Sequence, residues 1–111
     1  MATVPVVTLD EICRNARQLS DEHGWDQADV ASRMLHLTAE VGEVADAVIS
    51  LRAASDAEVG PAREALGREI FDAMWNLCAL ANAAGINIEQ AARQKMDINA
   101  DRNWPSDSVA R

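Results

Sequence analysis

The sequence of 111 residues contains no tyrosine, one phenylalanine and only two cysteines. Cys13 and Cys78 stand far apart and lack the spacing of a metal-binding pair, so we expect two reduced, buried thiols rather than a disulfide. No apolar run approaches the ~20 residues that a membrane span requires. The first residues also lack the basic and apolar regions of a secretory signal. These absences predict a cytoplasmic protein that does not associate with membranes.

Positive charge is scarce as well. The chain has 10 basic and 18 acidic residues, which gives a net charge of −8. Proteins that bind nucleic acid need lysine and arginine to contact phosphates, so this composition argues against a nucleic-acid partner. An anionic small ligand would need a metal ion or a few well-placed cations. The length predicts one domain, and an apolar content of 49% excludes a disordered chain.

The sequence pattern predicts α-helix over nearly the whole chain. The only β-like run, around Val6, is broken by Pro5. Thr8 and Glu11 form a capping box at the start of the first helix, and Gly24 marks its expected end. The second helix has the clearest period, because its apolar residues alternate in steps of four and three and form one packing seam. This α2 seam consists of Val30, Met34, Leu37, Val41, Val44, Val48 and Leu51.

Proline and glycine mark the limits of the third helix. Pro61 suits its first turn, where a missing N–H is tolerated, and Gly85 follows its expected end. Asn87 with Gln90 three residues later is a capping signal for a short fourth helix over about residues 88–99. Four helices in this order predict an all-α four-helix bundle.

The third helix is apolar on more than one face, which in a small chain favours burial by a partner subunit. We therefore expect a homo-oligomer, most simply a homodimer. The alternative is a central helix that is surrounded by its own three neighbours. One apolar stripe consists of Leu66, Ile70, Ala73 and Leu77, and the other of Phe71, Trp75 and Cys78.

Two pairs of carboxylates lie beside the apolar faces of consecutive helices. Glu40 and Glu43, and likewise Glu69 and Asp72, are three residues apart, so each pair lies on one side of its helix. If the helices pack antiparallel, the four carboxylates surround one volume, which is tolerable only with a cation between them. Oxygen ligands suit Mg²⁺ or Mn²⁺. His36 lies one turn before Glu40, and we favour a supporting or surface role for it over direct coordination.

Two further features each allow two interpretations. Lys95, Asn99 and Arg102 follow one another at near-helical spacing and would form either a phosphate clamp or an ordinary solvated helix end. Trp25 precedes the second helix and would either stack on a base or cap the core, and we favour stacking.

Together these residues resemble a known family. The runs 37–47 and 69–77 resemble the two signatures of the MazG-like, all-α nucleotide pyrophosphohydrolases, and the run 95–105 is similar to their C-terminal phosphate-binding segment. The nearest branch is that of the dCTP pyrophosphatases, whose members also carry an aromatic residue before the second helix, here Trp25. The resemblance implies a MazG-like bundle that assembles as a dimer or a dimer of dimers.

The resemblance covers about residues 9–105, which we take as one MazG-like domain. We expect residues 1–8 to be an N-terminal extension and residues 106–111 to be a flexible tail. Many family members carry tyrosine one turn after the aspartate, where this chain has Asn76. Asn76 shares a strip with Asp72, so we expect it to contact the sugar or the base of a substrate.

The implied activity is the Mg²⁺-dependent hydrolysis of (deoxy)nucleoside triphosphates between the α and β phosphates, which yields a nucleoside monophosphate and pyrophosphate. Mn²⁺ is a possible substitute for Mg²⁺, and the implied role is the housecleaning of nucleotide pools. Glu40 or Glu43 would orient the attacking water. The metal ligands carried over are Glu40, Glu43, Glu69 and Asp72, and the substrate contacts are Lys95, Asn99 and Arg102.

A second hypothesis comes from a different class of protein. The same helices would serve a non-catalytic interaction module whose acidic strips face solvent or a basic partner. Only an enzyme needs the four carboxylates to converge, so the register between the second and third helices distinguishes the two hypotheses.

Overall fold

Four α-helices make up most of the chain in the computed structural model, which describes residues 5–25 and 29–103. They are α1 (Leu9–His23), α2 (Val30–Ala53), α3 (Val59–Ala83) and α4 (Ile88–Ala100). No strand occurs within those two ranges, so the all-α prediction is confirmed. The expected flexible tail, residues 106–111, lies outside the described residues.

The predicted caps of α1 and α4 are formed. The Thr8 hydroxyl accepts a hydrogen bond from the Glu11 N–H at 3.1 Å, and the Asn87 side chain accepts one from the Gln90 N–H at 3.0 Å. Gly24 ends α1 in the left-handed region with φ of 72°, a conformation that glycine adopts without steric cost. Short-range sequence signals therefore place these helix ends correctly.

The ends of α2 and α3 follow the same rules. Asp29 caps α2 by accepting a hydrogen bond from the Ser32 N–H at 2.8 Å, a cap that our sequence argument did not name. Pro61 lies in the first turn of α3, and Gly85, with φ of 70°, lies just beyond its C-terminal cap. The helix bounds differ from the predicted ones by only one or two residues.

The helices pack unevenly. α2 and α3 form an antiparallel hairpin and contact each other along their lengths, α1 packs on α3, and α4 contacts chiefly α1. The buried core lies between α1 and α3 and consists of Ile12, Ala16, Cys78 and Ala79. The radius of gyration is 17.1 Å, compared with about 13 Å for a compact domain of this length. The protomer is therefore open, with a small core.

Much of the apolar surface of α2 and α3 is left uncovered by the protomer itself. Of the α2 seam, Leu37 is buried and Val44 and Leu51 are half-buried. The other four members are between 44% and 54% exposed: Val30, Met34, Val41 and Val48. On α3, four more apolar residues are 42–52% exposed: Ile70, Phe71, Met74 and Leu77.

The second apolar stripe of α3 divides between two environments. Trp75 and Cys78 pack against α1, which agrees with the alternative that α3 is covered by its own neighbours. Phe71, in contrast, is exposed.

Cys13 and Cys78 are both free and lie side by side across the interface of α1 and α3. Burial and the neighbouring Cys13 thiol raise the pKa of Cys78 to about 12, so it stays protonated. No helix in the described ranges is long and apolar enough to cross a membrane.

Candidate active site

The register of the hairpin brings the two pairs of carboxylates to the same level. Glu43 and Glu69 are equidistant in sequence from Asp56, which lies in the connection between α2 and α3. Glu40 and Asp72 are likewise equidistant from Asp56, one helical turn further out. An α-helix rises about 1.5 Å per residue, so positions equidistant from the turn of an antiparallel pair lie opposite each other. The equal spacing therefore places each carboxylate of α2 beside one of α3.

Three of these carboxylates come within metal-binding distance of one another. Glu40, Glu43 and Glu69 each offer one oxygen, and these oxygens all lie within 4.8 Å of each other. The charge of Asp72 acts on both Glu40 and Glu69, so it is close to the same centre. We call these four residues the carboxylate cluster. The structure thus brings together three of the four acidic residues that the sequence singled out, with Asp72 near the same centre.

Burial and mutual repulsion both raise the pKa of carboxyl groups in the cluster. Burial raises the pKa of Glu40, and the neighbouring Glu43 and Asp72 raise it further. Burial also raises the pKa of Glu69, reinforced by the adjacent Glu43 carboxyl and by Asp72, while Arg68 acts in the opposite direction. The cluster is therefore unfavourable in its fully ionised state unless positive charge is supplied.

The donor atoms of the cluster fit a hard divalent cation. The Oε2 atoms of Glu40 and Glu69 are buried and have no hydrogen-bond partner among the described residues. Buried carboxylate oxygens without partners are costly, and coordination of Mg²⁺ or Mn²⁺ would satisfy them. All the ligand atoms are oxygens, which is the donor set that these ions prefer. His36 is not one of the three residues whose ligand atoms approach within 4.8 Å.

A cavity of about 540 Å³ adjoins the cluster and shares Glu40 with it. Its remaining lining comes from α2, α3 and the end of α1. We call it the Trp25 cavity. It is lined by Gly24, Trp25, Arg33, His36, Glu40, Trp75 and Asn76.

Two tryptophans form the aromatic walls of the Trp25 cavity. Trp25 stacks on His23 with ring centroids 4.7 Å apart, and Trp75 meets Trp25 edge-on at 6.3 Å. The Trp75 indole N–H donates to the Asn15 side-chain oxygen at 3.1 Å, which fixes the ring on α3. Aromatic surfaces held in this way suit a planar ligand such as a nucleobase.

Asn76 links the cavity to the cluster. Its side chain is buried and donates to the backbone carbonyl of Asp72 at 2.8 Å, one turn earlier on α3. His36 and Asn76 lie equally far from Asp56, so they form one level of the cavity wall, just beyond the level of Glu40 and Asp72. Trp25 and Asn76, both expected substrate contacts, therefore lie in one cavity.

Sequence reasoning missed Arg33. It is 7% exposed, and its Nη2 donates to the Ser20 hydroxyl at 3.2 Å and to the Trp25 carbonyl at 2.9 Å. The available signal was its position, because Arg33 lies beside the α2 seam seven residues before Glu40 and so shares a face with it. The roles of Trp75 and its partner Asn15 were missed because they depend on contacts between distant parts of the chain.

The three expected phosphate contacts lie elsewhere in this protomer. Lys95 and Arg102 are exposed and Asn99 is half-buried, on or just after α4, whose chief contacts are with α1. None of the three lines the Trp25 cavity. Their contact with a substrate stays a prediction.

Comparison with known proteins adds to this geometry. A model of the MazG nucleotide pyrophosphohydrolase domain matches residues 28–103. The dCTP pyrophosphatase 1 of Rattus norvegicus is 34% identical over 105 residues, covering 88% of this chain and 60% of the relative. The human dCTP pyrophosphatase 1 is 33% identical over 109 residues, covering 92% and 62% respectively. The chain thus spans about three fifths of the length of these curated relatives.

Proposed function

This chain belongs to the MazG nucleotide pyrophosphohydrolase family, and we propose that it hydrolyses (deoxy)nucleoside triphosphates between the α and β phosphates. The products are a nucleoside monophosphate and pyrophosphate. The observation that carries the proposal is the convergence of Glu40, Glu43 and Glu69 to within 4.8 Å beside a cavity with aromatic walls. An interaction module has no need for such convergence, whereas a metal-dependent hydrolase depends on it.

The carboxylate cluster would hold Mg²⁺, with Mn²⁺ as a substitute. When bound, the ion would supply positive charge for the phosphates and lower the pKa of a bound water. The four carboxylates fix the position of that charge because they project from two packed helices rather than from loops. The positive charge of the bound ion would also explain how a chain of net charge −8 binds a polyanion.

The protein's own part in the reaction is to orient water and substrate. Glu40 or Glu43 would accept a hydrogen bond from the attacking water and take up its proton as the oxygen attacks phosphorus in line. The anhydride bond to the leaving pyrophosphate breaks as the new bond forms. Lys95, Asn99 and Arg102 would contact the phosphates in the assembled enzyme.

The Trp25 cavity would hold the nucleoside. Trp25 would stack on the base, and Asn76 would contact the sugar or base at the end of the cavity nearest the cluster. The relatives named dCTP pyrophosphatase 1 make dCTP the first substrate to test. Removal of unwanted nucleotides from the cytoplasmic pool is the cellular role that we propose.

We further propose that the enzyme is a homodimer or homotetramer. The exposed apolar faces of α2 and α3 support this, because four residues of the α2 seam and four of α3 are more than 40% exposed. A second copy covering these faces would enlarge a core that is small in the isolated protomer.

A direct assay tests the proposed activity. Purified protein is incubated with the four common dNTPs and four NTPs, with and without Mg²⁺, and pyrophosphate and monophosphate are measured together. We expect Mg²⁺-dependent release of both in equal amounts, and none from Asp72→Ala. Folded wild-type protein that binds Mg²⁺ but hydrolyses none of these substrates would favour the alternative, a non-catalytic acidic interaction module.

A further inference from the structure

Arg33 is a buried cation without an anionic partner among the described residues. It is 7% exposed, and both of its hydrogen bonds go to neutral oxygens, those of the Ser20 hydroxyl and the Trp25 backbone. No carboxylate in the described part of the chain forms an ion pair with it, although Glu40 lines the same cavity and Asp21 lines a neighbouring one. Burial of a guanidinium is unfavourable unless its charge and donors are satisfied. Within the described residues, the charge of Arg33 therefore has no counter-ion.

The guanidinium retains donors for that ligand. Arginine has five N–H donors, and both described hydrogen bonds of Arg33 leave from Nη2. The Nε–H and the two Nη1–H groups have no acceptor among the described residues. Arg33 lines both the Trp25 cavity and the neighbouring cavity that contains Asp21, and we take the Trp25 cavity as the one whose ligand would meet these donors.

The position of Arg33 on α2 determines which part of a bound nucleotide it would contact. Arg33 precedes Glu40 by seven residues, which is two helical turns or about 10.5 Å along the axis of α2 on the same face. With the phosphates at the carboxylate cluster and the base stacked on Trp25, whose backbone carbonyl Arg33 contacts at 2.9 Å, Arg33 lies at the end of the cavity that holds the base. Its donors therefore face the edge of the base rather than the phosphates.

We propose that Arg33 is a specificity-determining residue that selects bases that offer two adjacent hydrogen-bond acceptors. Cytosine offers such a pair at O2 and N3, and guanine offers one at O6 and N7. Uracil and thymine place the N3–H between their two carbonyls, and adenine places its amino group between N1 and N7, so none of these three offers such a pair. Arg33 cannot accept a hydrogen bond, so an N–H directed at it would be left unpaired and repelled.

This inference rests on the proposed function, since it takes the bound molecule to be a nucleotide. The test therefore uses binding rather than turnover. Calorimetric dissociation constants are measured in the presence of Mg²⁺ for dCMP, dGMP, dUMP, dTMP and dAMP, which are products of the proposed reaction and are not hydrolysed. We expect wild-type protein to bind dCMP or dGMP at least tenfold more tightly than the other three.

Three variants assign that preference to Arg33. Arg33→Met removes the charge but keeps the length of the side chain, and we expect it to weaken binding of the preferred nucleotide tenfold or more while dUMP changes less than twofold. Arg33→Lys keeps the charge and should restore part of the preference. The matched control Arg63→Met removes an exposed arginine of α3 that does not line the Trp25 cavity, and it should leave all five affinities unchanged. A uniform loss in Arg33→Met would show that Arg33 only supports the loop at Trp25, and would overturn the proposal.

A change on the ligand keeps the proposal testable if Arg33→Met does not fold. If dCMP is preferred, its 3-deaza analogue replaces the N3 acceptor with C–H, and if dGMP is preferred, its 7-deaza analogue does the same at N7. We expect wild-type protein to bind the analogue at least tenfold more weakly, and equal binding would refute the role of Arg33. Selective binding without hydrolysis of any triphosphate would refute only the proposed activity, and hydrolysis without base preference would refute only this inference.

Discussion

Glu40 on α2 and Glu69 on α3 offer oxygens within 4.8 Å of each other, yet each keeps its Oε2 buried and without a hydrogen-bond partner in the described part of the chain. Two carboxylates so placed repel each other, and burial removes the water that would screen them. Their arrangement stabilises the folded chain only when a cation lies between them.

Divalent metal should stabilise the protein through the carboxylate cluster. A cation that binds only the folded state adds about 2.7 kcal/mol at a concentration of 100 times its Kd. We therefore expect Mg²⁺ or Mn²⁺ to raise the Tm of wild-type protein by several degrees and to have little effect on Glu69→Gln. The control is Asp46→Asn, which removes an exposed charge of α2 outside the cluster. An equal rise of Tm in Glu69→Gln would place the metal elsewhere.

Without metal, the free energy of unfolding should depend on pH because the clustered carboxylates destabilise the folded state when they are ionised. Burial and neighbouring carboxylates hold the pKa of Glu40 above its ordinary value of 4.5. A raised carboxyl pKa means that the folded state binds the proton more tightly, so ionisation of Glu40 destabilises the fold as pH rises through that range. We expect Glu40→Gln to be more stable than wild type near pH 7 without metal, with the difference shrinking towards pH 4. Urea unfolding between pH 4 and pH 7 measures the difference in the free energy of unfolding between the variant and wild type. A difference that grows towards pH 4 would contradict the prediction.

Comparing kcat with the rise in Tm caused by Mg²⁺ should distinguish the residue that orients the attacking water from those that bind the metal. Loss of a general base lowers turnover by about 10²–10⁴-fold. Of Glu40→Gln and Glu43→Gln, we expect one to lower kcat in this way while it keeps most of the rise in Tm caused by Mg²⁺. The other should lose both activity and metal stabilisation. If both variants retain wild-type kcat, neither residue orients the attacking water.

The convergence of Glu40, Glu43 and Glu69 could be predicted from the sequence because the information that it requires is local. The i, i+3 pairs fix which side of each helix is acidic, and the caps at Thr8 and Asn87 fix where α1 and α4 begin. The short turn between α2 and α3 then sets the register. Arg33 was missed because its role depends on Ser20 and Trp25, which meet it only after α1 folds against the hairpin.

The exposed apolar faces should be the subunit interface. Light scattering should give a mass twice or four times that of a single chain. Val41 is 54% and Ile70 45% exposed in the protomer, and burial of such side chains drives association. We expect Val41→Glu combined with Ile70→Glu to yield monomers. Val6→Glu, at an 82% exposed position outside the helices, is the control and should leave the mass unchanged. Wild-type protein that is monomeric at all concentrations would refute the interface.

Trp25 should contribute binding rather than chemistry. It is 44% exposed, its ring rests on His23, and Arg33 holds its backbone carbonyl at 2.9 Å, so the ring is positioned before substrate arrives. Stacking of a base on an aromatic side chain contributes about 1–3 kcal/mol. We therefore expect Trp25→Ala to raise KM by roughly 5-fold to 150-fold for every nucleotide that the enzyme accepts, with kcat little changed. His23→Ala removes only the ring behind Trp25 and should have a smaller effect of the same kind. If Trp25→Ala lowers kcat and leaves KM unchanged, the base does not stack on Trp25 in the bound state.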